Sequence, residues 1–141
     1  MARIVFCDDD PSVRKLVQAT MRSTDHDIHI AHDGAEGLEL IERLLPDAVF
    51  TDVSMPNMTG IELVEEMRTR PHLAHIPVVA ITASLQRGHI SELSSHGIQQ
   101  LIRKPFKAGD LRAKVDDVVK SGRVEVPVDE AVTHELEESA P

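Results

Sequence analysis

Aromatic side chains are nearly missing from this chain of 141 residues, which has three Phe and no Trp or Tyr. Any core must therefore be aliphatic, built from Val, Ile, Leu, Met and Ala. Cysteine occurs once, as Cys7, which excludes an intramolecular disulfide and suits a reducing compartment. No apolar run approaches the roughly 18 residues of a membrane-spanning helix, and Met1-Ala2-Arg3 leads straight into an apolar segment rather than a targeting peptide. Membrane insertion is not expected, and the cytoplasm is the expected location. Basic charge is also short: 15 Lys and Arg stand against 24 Asp and Glu, for a net charge of −9. Residues 1–121 carry 14 basic and 18 acidic side chains, while residues 122–141 carry one Arg and six acids. No basic face is available to neutralise phosphates, so direct nucleic-acid binding is not expected.

What is present suits one soluble domain. Hydrophobic residues make up 41% and charged residues 28%, and a chain this long buries roughly two thirds of its unfolded surface. The domain is expected over residues 1–121. Residues 122–141 read as an acidic tail, disordered or forming a short helix around Val132 and Leu136, and too short for a DNA-binding output domain.

The chain is organised around Val49-Phe50-Thr51-Asp52, an apolar run that ends in a lone carboxylate and is followed by turn formers at Pro56, Asn57 and Gly60. Four similar runs surround it. Arg3 to Cys7 precedes Asp8-Asp9-Asp10, with Asp10 as N-cap and Pro11 in the first turn of a helix whose apolar face is Val13, Leu16, Val17 and Met21. Ile28 to Ala31 is a second strand. Asp33-Gly34-Ala35-Glu36 has the form of a capping box and opens a helix with Leu38, Ile41, Leu44 and Leu45 on one face, stopped by Pro46. After the third strand, Thr59 to Glu62 is a second capping box, leading a helix with Gly60, Leu63, Val64 and Met67 on one side. Pro77 to Thr82 is the fourth strand. Ser84 to His96 is a helix with Leu85, Ile90 and Leu93 as a thin apolar face and Gly97 as its cap. Ile98 to Arg103 is the fifth strand, and a last helix carries Leu111, Val115, Val118 and Val119.

Five strands alternating with five helices predict an α/β fold, a parallel sheet covered on both faces. In such a sheet every strand ends at the same edge. That places Asp8, Asp9 and Asp10 after strand one, Asp52 after strand three, Thr82 after strand four and Lys104 after strand five on one rim, where these folds bind ligands. Clustered carboxylates repel by about 4 kcal/mol per pair at 4 Å for an effective dielectric near 20, so they require a cation or take up protons. Oxygen ligands without Cys or His favour Mg²⁺. With one lysine and one hydroxyl beside them, these residues suggest a Mg²⁺-assisted phosphoryl site with an aspartyl nucleophile.

Asp8-Asp9, Asp52, Thr82 and Lys104-Pro105-Phe106, with the loop Met55-Pro56-x-Met58-x-Gly60, resemble the receiver domain of two-component response regulators over residues 3 to about 121. The resemblance implies a flavodoxin-like doubly wound five-stranded sheet in the order 2-1-3-4-5. It implies that Asp52 accepts a phosphoryl group from a partner histidine kinase or histidine phosphotransfer protein. Mg²⁺ would be ligated by Asp9, Asp52 and the backbone carbonyl of Ser54, with Asp8 acting through a metal-bound water. Lys104 would pair with phosphoryl oxygens across a cis bond to Pro105. Thr82 would couple the site to the helix 4, strand 5, helix 5 face, for a downstream protein target or onward relay. A monomer or weak dimer that catalyses at most its own phosphorylation and dephosphorylation is implied.

Three positions depart from the family pattern. Leu101 replaces an aromatic, so no aromatic rotamer switch is available. Arg103 is a charge where an aliphatic is common and marks a candidate partner contact. Ser54 stands where Asn is frequent, so the lifetime of the acyl phosphate is expected to be atypical. Two other functions remain as alternatives: a receiver that only binds and is never phosphorylated, and a phosphoaspartyl phosphatase of the haloacid dehalogenase type, which needs a second acid where Ser54 stands. The three-residue spacing of His26, His29 and His32 would align them on a helix, but Ile28 to Ala31 reads as a strand, so they should diverge as solvated side chains rather than form a metal site. Cys7 reads as an inert buried thiol.

Overall fold

The computed structural model describes residues 1–83, 87–98 and 100–122, with backbone alone for residues 87–90. The acidic tail beyond Gly122 and the side chains of Leu85 and Ile90 lie outside the described residues. The elements are β1 (Arg3–Cys7), α1 (Pro11–Met21), β2 (Asp27–Ala31), α2 (Gly34–Leu44), β3 (Ala48–Asp52), α3 (Gly60–Thr69), β4 (Val78–Thr82), α4 (Arg87–Ser95), β5 (Gln100–Arg103) and α5 (Ala108–Ser121). All neighbouring strands are parallel, in the order β2-β1-β3-β4-β5. This is the doubly wound flavodoxin-like sheet expected from the sequence. Among the described residues no helix is long and apolar enough to cross a membrane.

The sheet has two dry faces because alternate residues of a strand point to opposite sides. Val5, Cys7, Val49 and Ala80 pack with Ile41, Leu63, Val64, Met67 and Leu93 of α2, α3 and α4. Ile4, Phe6, Phe50, Val79 and Ile81 pack with Val17, Met21, Leu111, Val115 and Val118 of α1 and α5. Phe6 and Phe50 stack on that second face with ring centroids 4.8 Å apart. Two of the three aromatic rings thus sit together on the central strands, and each fully buried ring contributes roughly 1.5–3 kcal/mol. Every position of β3 is buried, which carries Asp52 to the rim on a strand with little freedom to move.

The caps follow the sequence closely. Asp10 accepts from Ser12 N at 2.8 Å ahead of Pro11, and Thr59 and Glu62 form the reciprocal capping box of α3. Asp33 accepts from Glu36 N at 2.8 Å, but Glu36 reaches back to the amide of His32 rather than to the cap residue itself.

Three expectations change. Leu45 is not on the apolar face of α2: it is 55% exposed in the left-handed region, with φ 48°. Pro46 disfavours the α conformation in the residue before it, so the helix ends one residue early and turns Leu45 outward. Strand five begins at Gln100 rather than Ile98, because the Ile98 amide donates to Leu93 O at the end of α4. His26 is not a solvated side chain. Its Nδ1 accepts from the amide of Ala2 at 3.0 Å, whereas His29 faces Asp27 and His32 faces Glu36, so the three rings do diverge.

Candidate functional site

Ligand atoms of Asp8, Asp9 and Asp52 lie within 4.8 Å of one another at the carboxyl ends of β1 and β3. Lys104, directly after β5, places its ammonium 2.9 Å from Asp8 Oδ2 and 3.1 Å from Asp52 Oδ2. The other oxygens are held by backbone: Asp10 N donates to Asp8 Oδ1 at 2.8 Å, and Ser54 N to Asp52 Oδ1 at 3.2 Å. Asp8 and Asp52 are buried and Asp9 is exposed, so the cluster opens to solvent on one side.

Three carboxylates facing one ammonium leave a formal deficit of two positive charges. Burial raises the Asp8 carboxyl above its ordinary range; the Asp10 amide and Lys104 oppose that rise and the Asp52 charge adds to it. Burial pulls Lys104 down, but its hydrogen bonds and charge contacts with Asp8 and Asp52 win, and the ammonium is held above its usual value. Asp8 Oδ2 is a buried oxygen with an ion-pair contact but no aligned hydrogen bond. A hard divalent cation supplies the missing charge and the missing oxygen partner together, so the donor set fits Mg²⁺.

Of the remaining candidates, Thr82 ends β4 as a buried residue, and its carbonyl accepts from Lys104 N at 2.8 Å. Arg103 lies opposite Thr82 in the β4–β5 ladder and is exposed, lining an open cleft with Pro105, Phe106 and Asp117. Leu101 pairs with Ala80 and packs half-buried against the α2–α4 core. The structure thus gathers Asp8, Asp9, Asp52 and Lys104 into one cluster and sets Leu101 and Arg103 on β5, the strand that leads into Lys104. The Lys104–Pro105 bond is cis. Close behind Asp52, Gly60 leaves no room for a side chain: a Cβ there would stand 2.1 Å from Asp52 O.

The response regulator receiver domain family matches residues 4–116. The chain belongs to this family. It is 34% identical over 117 residues to the chemotaxis protein CheY-3 of Vibrio cholerae, covering 82% of this chain and 90% of that protein. It is 35% identical over 117 residues to the sensor histidine kinase TmoS of Ectopseudomonas mendocina, covering 83% of this chain but only 12% of that kinase. The solved structure of CheY4 of Vibrio cholerae superposes with a TM-score of 0.79 at 28% identity, over 84% of this chain and 98% of that one. The receiver domain of the sensor histidine kinase PA1611 of Pseudomonas aeruginosa has a TM-score of 0.77 at 24% identity and holds a magnesium ion in its own active-site cleft; at that identity the likeness concerns the fold. Receiver domains are signalling regulators of two-component systems rather than enzymes of metabolism.

Two features of this receiver domain had no counterpart in the sequence expectations. Arg68 is 5% exposed and donates to His96 O at 3.0 Å, Ala74 O at 2.9 Å and Ile76 O at 2.8 Å. Burial lowers its guanidinium to about 10. The signal available was weak: Arg68 stands at i+4 from the buried Val64 and next to Met67, on the inner side of α3. Asn57 Nδ2 donates to Asp33 Oδ2 at 2.9 Å, joining the loop after β3 to the loop after β2. The dipeptide Pro56-Asn57 announced a turn but not its partner. Cys7 is buried, and burial raises its thiol to about 12, as an inert thiol requires.

Proposed function

We propose that this receiver domain is a phosphorylation switch in which Asp52 accepts a phosphoryl group from a phosphohistidine of a partner histidine kinase or phosphotransfer protein. The observation that carries this is the shared grip of Lys104 on Asp8 and Asp52 beside Asp9. A carboxylate oxygen of Asp52 attacks phosphorus, the P–N bond to the imidazole breaks, and the ring nitrogen keeps the electron pair. Asp8, Asp9, Asp52 and the Ser54 carbonyl would hold Mg²⁺, which when bound offsets charge on the phosphoryl oxygens. Lys104 screens the same oxygens, and its release from Asp52 frees the attacking atom. Thr82, one residue beyond the register partner of Asp52, would turn its hydroxyl onto the new group. From there the change passes through Leu101 and Arg103 to the β5 and α5 surface, where a downstream target docks or the phosphoryl group is relayed. Residues 1–121 are the signalling unit, and the soluble cytoplasm suits it.

Incubation with Mg²⁺ and acetyl phosphate, read by intact mass, tests this. One phosphoryl adduct in the wild type and none in Asp52→Ala is the expected result. No adduct in either supports a receiver that only binds. Steady turnover of phosphate esters supports the phosphatase, which the hydroxyl side chain of Ser54 argues against. The adduct of Ser54→Asn should decay at a rate different from that of the wild type; equal rates remove Ser54 from control of its lifetime.

A further inference from the structure

The segment between β3 and α3 is held at two separate points. At its base, Gly60 N donates to Val53 O at 3.0 Å, and the absence of a side chain at Gly60 lets the chain press on Asp52 O. Its far end is gripped from a different loop. Asn57 sits in the left-handed region with φ 68°, an unfavourable state for most residues but tolerated by Asn. From that conformation its amide reaches Asp33 Oδ2 at 2.9 Å. Beside it, Met58 O lies so close to Gly34 that a Cβ on Gly34 would stand 2.3 Å from it.

Asp33 is divided between two tasks. Oδ1 caps α2 through Glu36 N, while Oδ2 takes Asn57. The Glu36 amide, then Asn57, hold this carboxyl below its ordinary range, so it remains an anion and an acceptor at neutral pH. Between the two anchors lies Ser54, whose amide donates to Asp52 Oδ1 at 3.2 Å. Met55, buried in the core, holds the middle of the segment; a loop free at Asn57 keeps that contact and its base but loses its hydrogen bond to the loop before α2, and the Ser54 backbone is then held less firmly beside Asp52.

We propose that Asp33 and Asn57 are positioning residues for the metal site: their bond clasps the β3–α3 loop so that the Ser54 backbone stays beside Asp52, and this sets affinity for the divalent cation. The inference rests on the proposed metal-assisted function. Asn57 touches no member of the carboxylate cluster, so its effect must pass through the loop backbone.

The test is a Mg²⁺ titration of the full chain followed by amide NMR, in parallel with phosphorylation by acetyl phosphate at varied Mg²⁺. Asn57→Gly removes the amide while keeping a residue at ease in the left-handed region. It should weaken Mg²⁺ binding about tenfold, the low end for loss of an outer-shell partner, while the phosphorylation rate at saturating Mg²⁺ stays within about twofold. The exchange of Asp33→Asn with Asn57→Asp reverses donor and acceptor, keeps a capping side chain on α2, and should restore affinity to within about threefold of the wild type. Unchanged affinity in Asn57→Gly, or an exchanged pair no better than Asn57→Gly, overturns the clasp. A wild type without Mg²⁺-dependent shifts at Asp8, Asp9 and Asp52 overturns the metal site itself and the clasp with it, and so is distinguished from failure of the clasp alone.

Discussion

Asp27 and Asp8 stand at opposite ends of neighbouring parallel strands, and their carboxyls are displaced in opposite directions. Asp27 opens β2, where His29 and then Arg3 hold it below its usual range. Asp8 follows β1, where burial pushes it up. The contrast extends across the sheet. At the amino end Arg3 Nε meets Asp27 at 3.1 Å while its amide takes Asp47 at 2.8 Å; Arg70 bridges Glu42 at 2.7 Å and Glu66 at 3.1 Å; Glu42 also meets His72 at 2.7 Å. At the carboxyl end three carboxylates cluster, and the Lys104 ammonium meets two of them, Asp8 and Asp52. One end has its charges paired; the other keeps an excess of negative charge, which suits a divalent cation.

The comparison breaks most completely at Asp52. Asp52→Asn should abolish the acetyl phosphate adduct altogether, as seen by intact mass, while the fold is retained. Next comes Arg68, buried at the other end of the sheet. Arg68→Met should destabilise by about 3 kcal/mol, because the carbonyls of His96, Ala74 and Ile76 lose their donor in a buried setting; urea denaturation measures this, and a loss under about 1 kcal/mol would mean that water replaces the guanidinium.

Asp8→Asn should act with the opposite sign. A carboxyl raised by the fold favours the folded state most below its unfolded pKa and loses that contribution as pH rises through its folded value, so at neutral pH the ionised Asp8 is a cost. The variant should be more stable than the wild type without metal at neutral pH, read as a higher Tm in thermal melts. The advantage should shrink on acidification, as the wild-type group protonates. It should also invert in Mg²⁺ at a hundredfold excess over Kd, where binding stabilises the wild type by about 2.7 kcal/mol. A variant less stable in metal-free neutral buffer would show that Lys104 compensates Asp8 in full. The smallest effect belongs to the paired surface: Glu42→Gln should lower Tm only slightly in thermal melts, and the difference should fade in high salt.

Much of the fold was legible because its signals are local. The aliphatic run into Asp52, the caps at Asp10, Asp33 and Thr59, and the cis-compatible Lys104-Pro105 all depend on residues a few positions apart. Leu45 escaped because helical periodicity carried it onto the α2 face, while the geometric restriction imposed by Pro46 outweighed the gain from burying it. The Asp33–Asn57 bond escaped for another reason, since 24 residues separate its partners and nothing in either loop names the other. Arg68 shows the same limit: its acceptors are backbone carbonyls, which every residue carries, so no side-chain pattern points to them.

The amino-acid sequence alone determined which residue types end each strand, because strand and helix periods and caps are short-range properties of the chain. It thereby determined that acids, a hydroxyl and a lysine meet at one rim. Tertiary structure decided how they divide the work. Strand order and register bring the Lys104 ammonium between Asp8 and Asp52 and leave Asp9 open to solvent. Distances of 3 Å are fixed by packing of the whole sheet, and it is at that distance that charge and hydrogen bonding decide which carboxylate is held and which is left open to solvent.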